Sequence, residues 1–261
     1  MNLWHVLGAG TLAWLSLLAA GCGPSQRAPG ADGASGPLRV LFIGNSYTYS
    51  HDMPRMVQQL AAAAGERRPL QFEMETPGGE SLEGHWKKGA ALQKIRRGGW
   101  DLVVLQEQSL RPIEGPDLMH EYARLFDAEI RKAGARTVFY LTWARKHMPD
   151  RQGDYNAAYL AIGRELAALV APAGMAWARA AAENPACLLY VDDKSHPRPV
   201  GAYLTACVFY ATFYGRSPAG LPVTIKPDQV AAAGLKEADL AQLQAVAWET
   251  VRAVPKRMNR R

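Results

Sequence analysis

Apolar residues recur along this chain in two alternating rhythms. Short runs of β-branched and large aliphatic residues, Val40 to Ile43, Leu70 to Met74, Leu102 to Leu105 and Thr137 to Leu141, read as buried strands, with Met175 to Trp177 as a shorter candidate fifth. Between them, apolar positions three and four apart predict helices over Met53 to Ala64, Leu82 to Arg96, Asp117 to Ala133, Asp154 to Val170 and Pro197 to Tyr214, with a last one from Glu237 to Val254. Pro197 suits a helix start, where its missing N–H would have had no partner, and Val200, Leu204, Val208 and Ala211 follow at helical spacing. Strands alternating with helices imply parallel pairing through right-handed crossovers, with helices on both faces. The expected fold is one three-layer α/β/α sandwich over residues 38–255, built on a parallel five-stranded sheet.

Composition adds limits rather than a function. With 261 residues, 48% of them hydrophobic, the chain can bury a full core. Its 30 basic against 24 acidic residues give +6, but Lys256, Arg257, Arg260 and Arg261 crowd into a basic tail at 256–261. No basic stripe with interleaved aromatics is present, so no nucleic-acid partner is expected.

The N-terminus follows a separate logic. Leu3 to Ala20 is apolar except for Gly, Thr, Ser and His5, about 18 residues in all, and Gly21-Cys22 follows it. This resembles a bacterial lipoprotein signal, with residues 1–22 as the signal and Cys22 as the lipidated first residue of the mature chain. A single membrane-spanning anchor is the alternative. Residues 23–37, rich in Gly, Pro, Ala and Ser, read as a flexible tether. The expected location is outside the cytoplasm, held to a bacterial membrane through the N-terminal lipid and facing the periplasm or cell exterior. With Cys22 lipidated, Cys187 and Cys207 remain; they could pair in an oxidising compartment, but Cys207 among Ala206, Val208 and Phe209 reads equally well as a buried thiol. No spacing suggests a metal site.

Candidate chemistry starts at Ile43-Gly44-Asn45-Ser46-Tyr47-Thr48, where an apolar run breaks at a glycine and delivers a serine to the carboxyl end of a strand. Open α/β sheets hold ligands there, and a hydroxyl nucleophile is presented in this way. A plain helix cap would look the same. A serine nucleophile needs a base, and six histidines are available: His5, His51, His85, His120, His147 and His196. His196 stands apart because Asp193 precedes it by three residues in the loop before the last large apolar helix, so the carboxylate can fold back onto one ring nitrogen and leave the other for a hydroxyl. A solvated surface loop is the competing account.

Together these two segments resemble the SGNH hydrolase superfamily of GDSL-like esterases and lipases. Gly44-Asn45-Ser46-Tyr47-Thr48 is similar to its nucleophile block, with Asn where Asp is commoner, and Asp193-Lys194-Ser195-His196-Pro197 to its DxxH block. The resemblance covers roughly residues 38–215 and implies a flavodoxin-like sheet, with Ser46, Asp193 and His196 as catalytic residues. It further implies an oxyanion hole of the Ser46 N–H, the Gly79 N–H and a side-chain amide. Gly79 is taken from Pro77-Gly78-Gly79-Glu80-Ser81 with Gly78 as alternative. For the amide, the family's G-x-N-D is replaced by Gln106-Glu107-Gln108-Ser109, a pattern shared with an LQEQS branch of the superfamily; Gln106 is expected to donate, with Gln108 as alternative. Glu107 fits either a supporting partner near the hole or a salt-bridged structural residue.

The activity implied is acyl transfer from carboxylic esters through an acyl-enzyme, requiring no cofactor. Tyr47, Trp86, Trp100 and Trp143 suit sugar rings or a core equally. Removal of acetyl or other short acyl groups from a glycan or a small acylated molecule is the leading expectation. A lipase or thioesterase, and a non-catalytic glycan-binding lipoprotein, are the alternatives.

Overall fold

The computed structural model describes residues 36–222 and 225–254; the expected signal segment, Cys22, most of the expected tether and the basic tail lie outside the described residues. The described residues form one compact unit. Five parallel strands, β1 Leu38–Ile43, β2 Leu70–Glu75, β3 Leu102–Leu105, β4 Arg136–Tyr140 and β5 Leu169–Ala171, pair in the order β2-β1-β3-β4-β5. The helices are α1 Ser46–Tyr49, α2 Met53–Ala63, α3 Leu82–Lys88, α4 Ala90–Arg97, α5 Arg111–Glu114, α6 Pro116–Lys132, α7 Gln152–Glu165, α8 Ala173–Glu183, α9 Pro199–Tyr214, α10 Pro227–Ala231 and α11 Glu237–Ala253.

Side chains alternate across the pleat, so the inner strands and β5 feed two cores, whereas the edge strand β2 gives Leu70, Phe72 and Met74 to one and turns Gln71, Glu73 and Glu75 away from it. Val40, Phe42, Leu102, Val104, Val138 and Tyr140 enter one, with residues of α2, α8, α9 and α11. Leu41, Ile43, Val103, Leu105 and Phe139 enter the other, with residues of α4, α6 and α7. This is the expected α/β/α sandwich, with the flavodoxin-like strand order. The centre of α9, Val200 to Ala211, is buried on every side, which is why its sequence shows no polar face.

Three expectations about individual elements are corrected. Met175 to Trp177 lies inside α8, and the fifth strand is Leu169–Ala171. The helix expected over Asp154 to Val170 therefore stops at Glu165, where Ala167 turns through a left-handed φ of 48° before β5 begins. The helix expected over Leu82 to Arg96 is two, broken where Gly89 takes φ 80°.

β1 lies between β2 and β3, so the chain leaves β1 in one direction and β3 in the other. The crevice at such a switch point is where open α/β sheets bind ligands. Ser46 starts the helix after β1, and Gln106 directly follows β3.

Candidate active site

At the end of β1 the backbone makes a turn that depends on two neighbours. Asn45 caps α1 by accepting the Tyr47 N–H on Oδ1 (3.1 Å), while its Nδ2 donates to the Glu80 carbonyl (2.8 Å). Buried His85, on α3, bonds the Gly44 carbonyl through Nε2 at 2.8 Å; a carbonyl only accepts, so this nitrogen carries the proton. Burial pushes the His85 imidazole down, consistent with a neutral donor.

Ser46 emerges half-buried from this turn. Its Oγ lies 2.8 Å from His196 Nε2, and His196 Nδ1 lies 2.5 Å from Asp193 Oδ2. A carboxylate facing Nδ1 fixes the proton there and leaves Nε2 as an acceptor for the serine hydroxyl. Partial burial would raise the Asp193 carboxyl, but the His196 ring and the His196 and Ser195 N–H groups outweigh it and hold the group below the usual carboxylate range. Asp193 Oδ1 takes both backbone N–H bonds because Lys194 turns through a left-handed φ of 63°.

The loop bearing Asp193 and His196 is closed by a bridge between Tyr190 and Pro197 and held from three sides. Tyr47 Oη meets Ser195 Oγ at 2.5 Å, Trp143 Nε1 donates to the Ser195 carbonyl at 2.9 Å, and His51 Nε2 contacts the Pro197 carbonyl at 3.0 Å. The Tyr47 ring stacks on Trp143 (4.7 Å), which stacks on Trp177 (3.7 Å), and the Tyr47 and His196 rings meet at 83° with centroids 5.5 Å apart. Tyr47, Trp143 and Trp100 are buried, so these candidates for sugar contact are core, and half-buried Trp86 packs edge-on against Phe126. The exposed aromatic at the site is Tyr49, whose hydroxyl lies against Gly78. Nothing in its sequence setting distinguished it.

Two expected oxyanion donors are free. Ser46 is the first residue of α1, so its N–H has no intrahelical acceptor. The Gly79 N–H, at φ 69° in the exposed loop after β2, likewise has no acceptor among the described residues. Gln106 requires a correction. Its side chain is wholly buried, Oε1 accepts from the Asn45 N–H (2.8 Å) and Thr48 Oγ1 (2.9 Å), and Nε2 donates to Asn45 Oδ1 (2.9 Å) and the Glu107 carbonyl (2.6 Å). Both amide hydrogens are spent inside the protein, so Gln106 braces the nucleophile turn from below and has none left for an oxyanion. Gln108 places its Oε1 on the Leu110 and Arg111 N–H groups.

Glu107 forms no ion pair among the described residues. It is buried, and Oε1 accepts the N–H groups of Gln108 (2.6 Å) and Leu82 (3.2 Å). Burial pushes its carboxyl up to about 7. Cys187 and Cys207 are free buried thiols, pushed up by burial to about 11 and about 12. Among the described residues no cluster of three His, Cys, Asp or Glu side chains is arranged to hold a metal ion, and no helix is long and apolar enough to cross a membrane.

No family model and no curated protein matches the sequence. Solved structures do match the fold. A candidate SGNH hydrolase from Slackia heliotrinireducens aligns with a TM-score of 0.60 at 24% identity, over 67% of this chain and 98% of that one. A DUF4886 family protein from Bacteroides uniformis aligns at 0.60 and 16% identity, over 83% and 95%. An acetyl-xylooligosaccharide esterase from a Geobacillus aligns at 0.54 and 16% identity, over 69% and 95%. With its switch-point serine and five parallel strands in this order, the chain has the fold of the SGNH hydrolases.

Proposed function

We propose that this protein is a serine esterase that hydrolyses carboxylic esters through an acyl-enzyme on Ser46, with short acyl groups, acetyl foremost, on a carbohydrate as its substrates. The observation that carries the reading is the pair of contacts on His196, 2.8 Å to Ser46 Oγ and 2.5 Å to Asp193. As Ser46 Oγ attacks the ester carbon, its proton passes to His196 Nε2, and the Asp193 carboxylate stabilises the imidazolium. The tetrahedral oxyanion is received by the free N–H groups of Ser46 and Gly79. Collapse expels the alcohol, protonated by His196, and water delivered through the same histidine releases the acid and restores Ser46. No step requires a metal or organic cofactor.

The carbohydrate assignment rests on Tyr49, exposed beside Gly78 where a flat apolar sugar face can stack, and on the fold shared with an acetyl-xylooligosaccharide esterase. Placement outside the cytoplasm through a lipid on Cys22 belongs to the same proposal, and acetylated extracellular glycan is the substrate it brings within reach. p-Nitrophenyl esters test it. kcat/KM should fall steeply from acetyl to octanoyl, and Ser46→Ala should lower acetyl-ester turnover about a thousand-fold or more with the thermal transition retained. Rising activity toward octanoyl would replace the substrate assignment with a lipase or thioesterase; undiminished turnover in the variant would remove Ser46 from the chemistry.

A further inference from the structure

Arg145 lies in the segment after β4 and is half-buried, yet no carboxylate of the described residues comes within ion-pair distance of it. Its guanidinium is held by one contact, Nη2 to Ser109 Oγ at 3.1 Å, and its Nε–H is buried with no acceptor. An arginine cannot shed its charge, and a half-buried guanidinium that meets one hydroxyl and no carboxylate is left short of acceptors, a deficit that an anion meeting its accessible part would offset, while the buried Nε–H stays out of a ligand's reach. The acidic groups of the neighbourhood are engaged or outside: Asp193 is bound to His196, Asp192 to Arg198, and Glu114 is exposed.

The position of this cation relative to the reacting atoms follows from its contacts. Its chain neighbour Lys146 donates its N–H to the Lys194 carbonyl at 2.8 Å, and Trp143, two residues before it, donates Nε1 to the Ser195 carbonyl at 2.9 Å, so both flanks of Arg145 bond the loop that carries Asp193 and His196. Arg145 therefore approaches the site from the histidine side. That is the leaving-group side, since His196 must protonate the departing alcohol.

We propose that Arg145 receives a carboxylate carried by the alcohol portion of the ester, so that the preferred substrates are acylated acidic sugars rather than neutral ones. This rests on the esterase reading, and the test separates the two. kcat/KM is measured for 4-acetoxybenzoate and its neutral isostere 4-acetoxybenzamide in the wild type and in Arg145→Gln and Arg145→Lys; taking the ratio within each preparation cancels any uniform loss of active protein. The ratio should favour the carboxylate in the wild type, fall roughly ten- to a hundred-fold in Arg145→Gln, and be partly kept in Arg145→Lys. An equal ratio in wild type and Arg145→Gln overturns the inference. Dependence on Arg145 only for an acyl-side carboxylate, read with p-nitrophenyl hemisuccinate, overturns its side. Calorimetric binding of 4-acetamidobenzoate against 4-acetamidobenzamide reads the same preference without turnover. If no ester is hydrolysed the esterase reading fails, and binding of the carboxylate that disappears in Arg145→Gln still decides the anion site.

Discussion

Gly44 has no room for a side chain. A Cβ there would lie 2.5 Å from Gln106 Oε1 and 2.7 Å from Thr48 Oγ1, so the glycine is required by a close approach rather than by a special φ. The Gln106 amide fills the space and ties β1's exit to β3's end. Gln106→Ala leaves the Asn45 N–H and Thr48 hydroxyl unsatisfied over a cavity, and a loss of about 2–4 kcal/mol of stability is expected by urea denaturation. Gly44→Ala should reproduce that loss, because it displaces the same amide. A Gln106→Ala protein of wild-type stability with reduced kcat would instead make Gln106 a donor to the transition state. The sequence revealed the carboxamide at this position but not its direction, which is decided by Asn45 and Thr48, 61 and 58 residues upstream and adjacent only in the fold. Ser46, Asp193 and His196 were readable because each sits at a local break in the hydrophobic pattern and two of them share one loop. Tyr47, Tyr49 and Arg145 were not, since only tertiary contacts separate a braced ring, an exposed ring and an unpaired guanidinium from their ordinary counterparts.

Among the elements, β3 and α3 meet through one carboxyl. Glu107 follows β3, and its Oε1 holds the N–H of Leu82 at the start of α3. Its folded value of about 7 lies above the ordinary 4.5, so between those pH values the folded state binds the proton that the unfolded chain has released. The contribution is thus most favourable below about pH 4.5, is lost as pH rises, and is gone above about pH 7, amounting to about 3 kcal/mol. Glu107→Gln keeps an acceptor for the two N–H groups without the ionisation. Its stability relative to wild type should rise by about that amount from pH 4.5 to 8 in denaturant titrations; parallel curves would contradict the account. Element boundaries follow a related lesson. Leu169–Ala171 is too short to show a strand rhythm and continues the apolar spacing of α7, while Met175 to Trp177 mimics a strand because α8 is packed with alanine and tryptophan against the sheet.

For the whole molecule, the resemblance read from residues 38–215 understates what the fold uses. α11 lays Leu240, Leu243, Val246, Ala247 and Val251 into the core shared by α8 and α9. Its four large side chains represent roughly 6–12 kcal/mol of burial, comparable with the entire stability of a typical domain at about 5–15 kcal/mol. A chain ending at Lys236 should lose its cooperative thermal transition by circular dichroism; a transition near the wild-type temperature would show that α11 is an appendage. The layer order itself was legible from the alternation of strand-like and helical apolar spacing, because the inner strands are buried on both faces, the edge strand β2 buries Leu70 and packs Phe72 and Met74 on one face only, and most helices bury one face.

As an esterase of this kind the protein must carry Ser46 as an activated nucleophile. Incubation of the folded protein with a fluorophosphonate probe, followed by peptide mass mapping, tests this without knowledge of the substrate. A single adduct at Ser46 that is lost in His196→Ala is the expected result. Well-folded protein that takes up no probe, or takes it up at another residue, would contradict it.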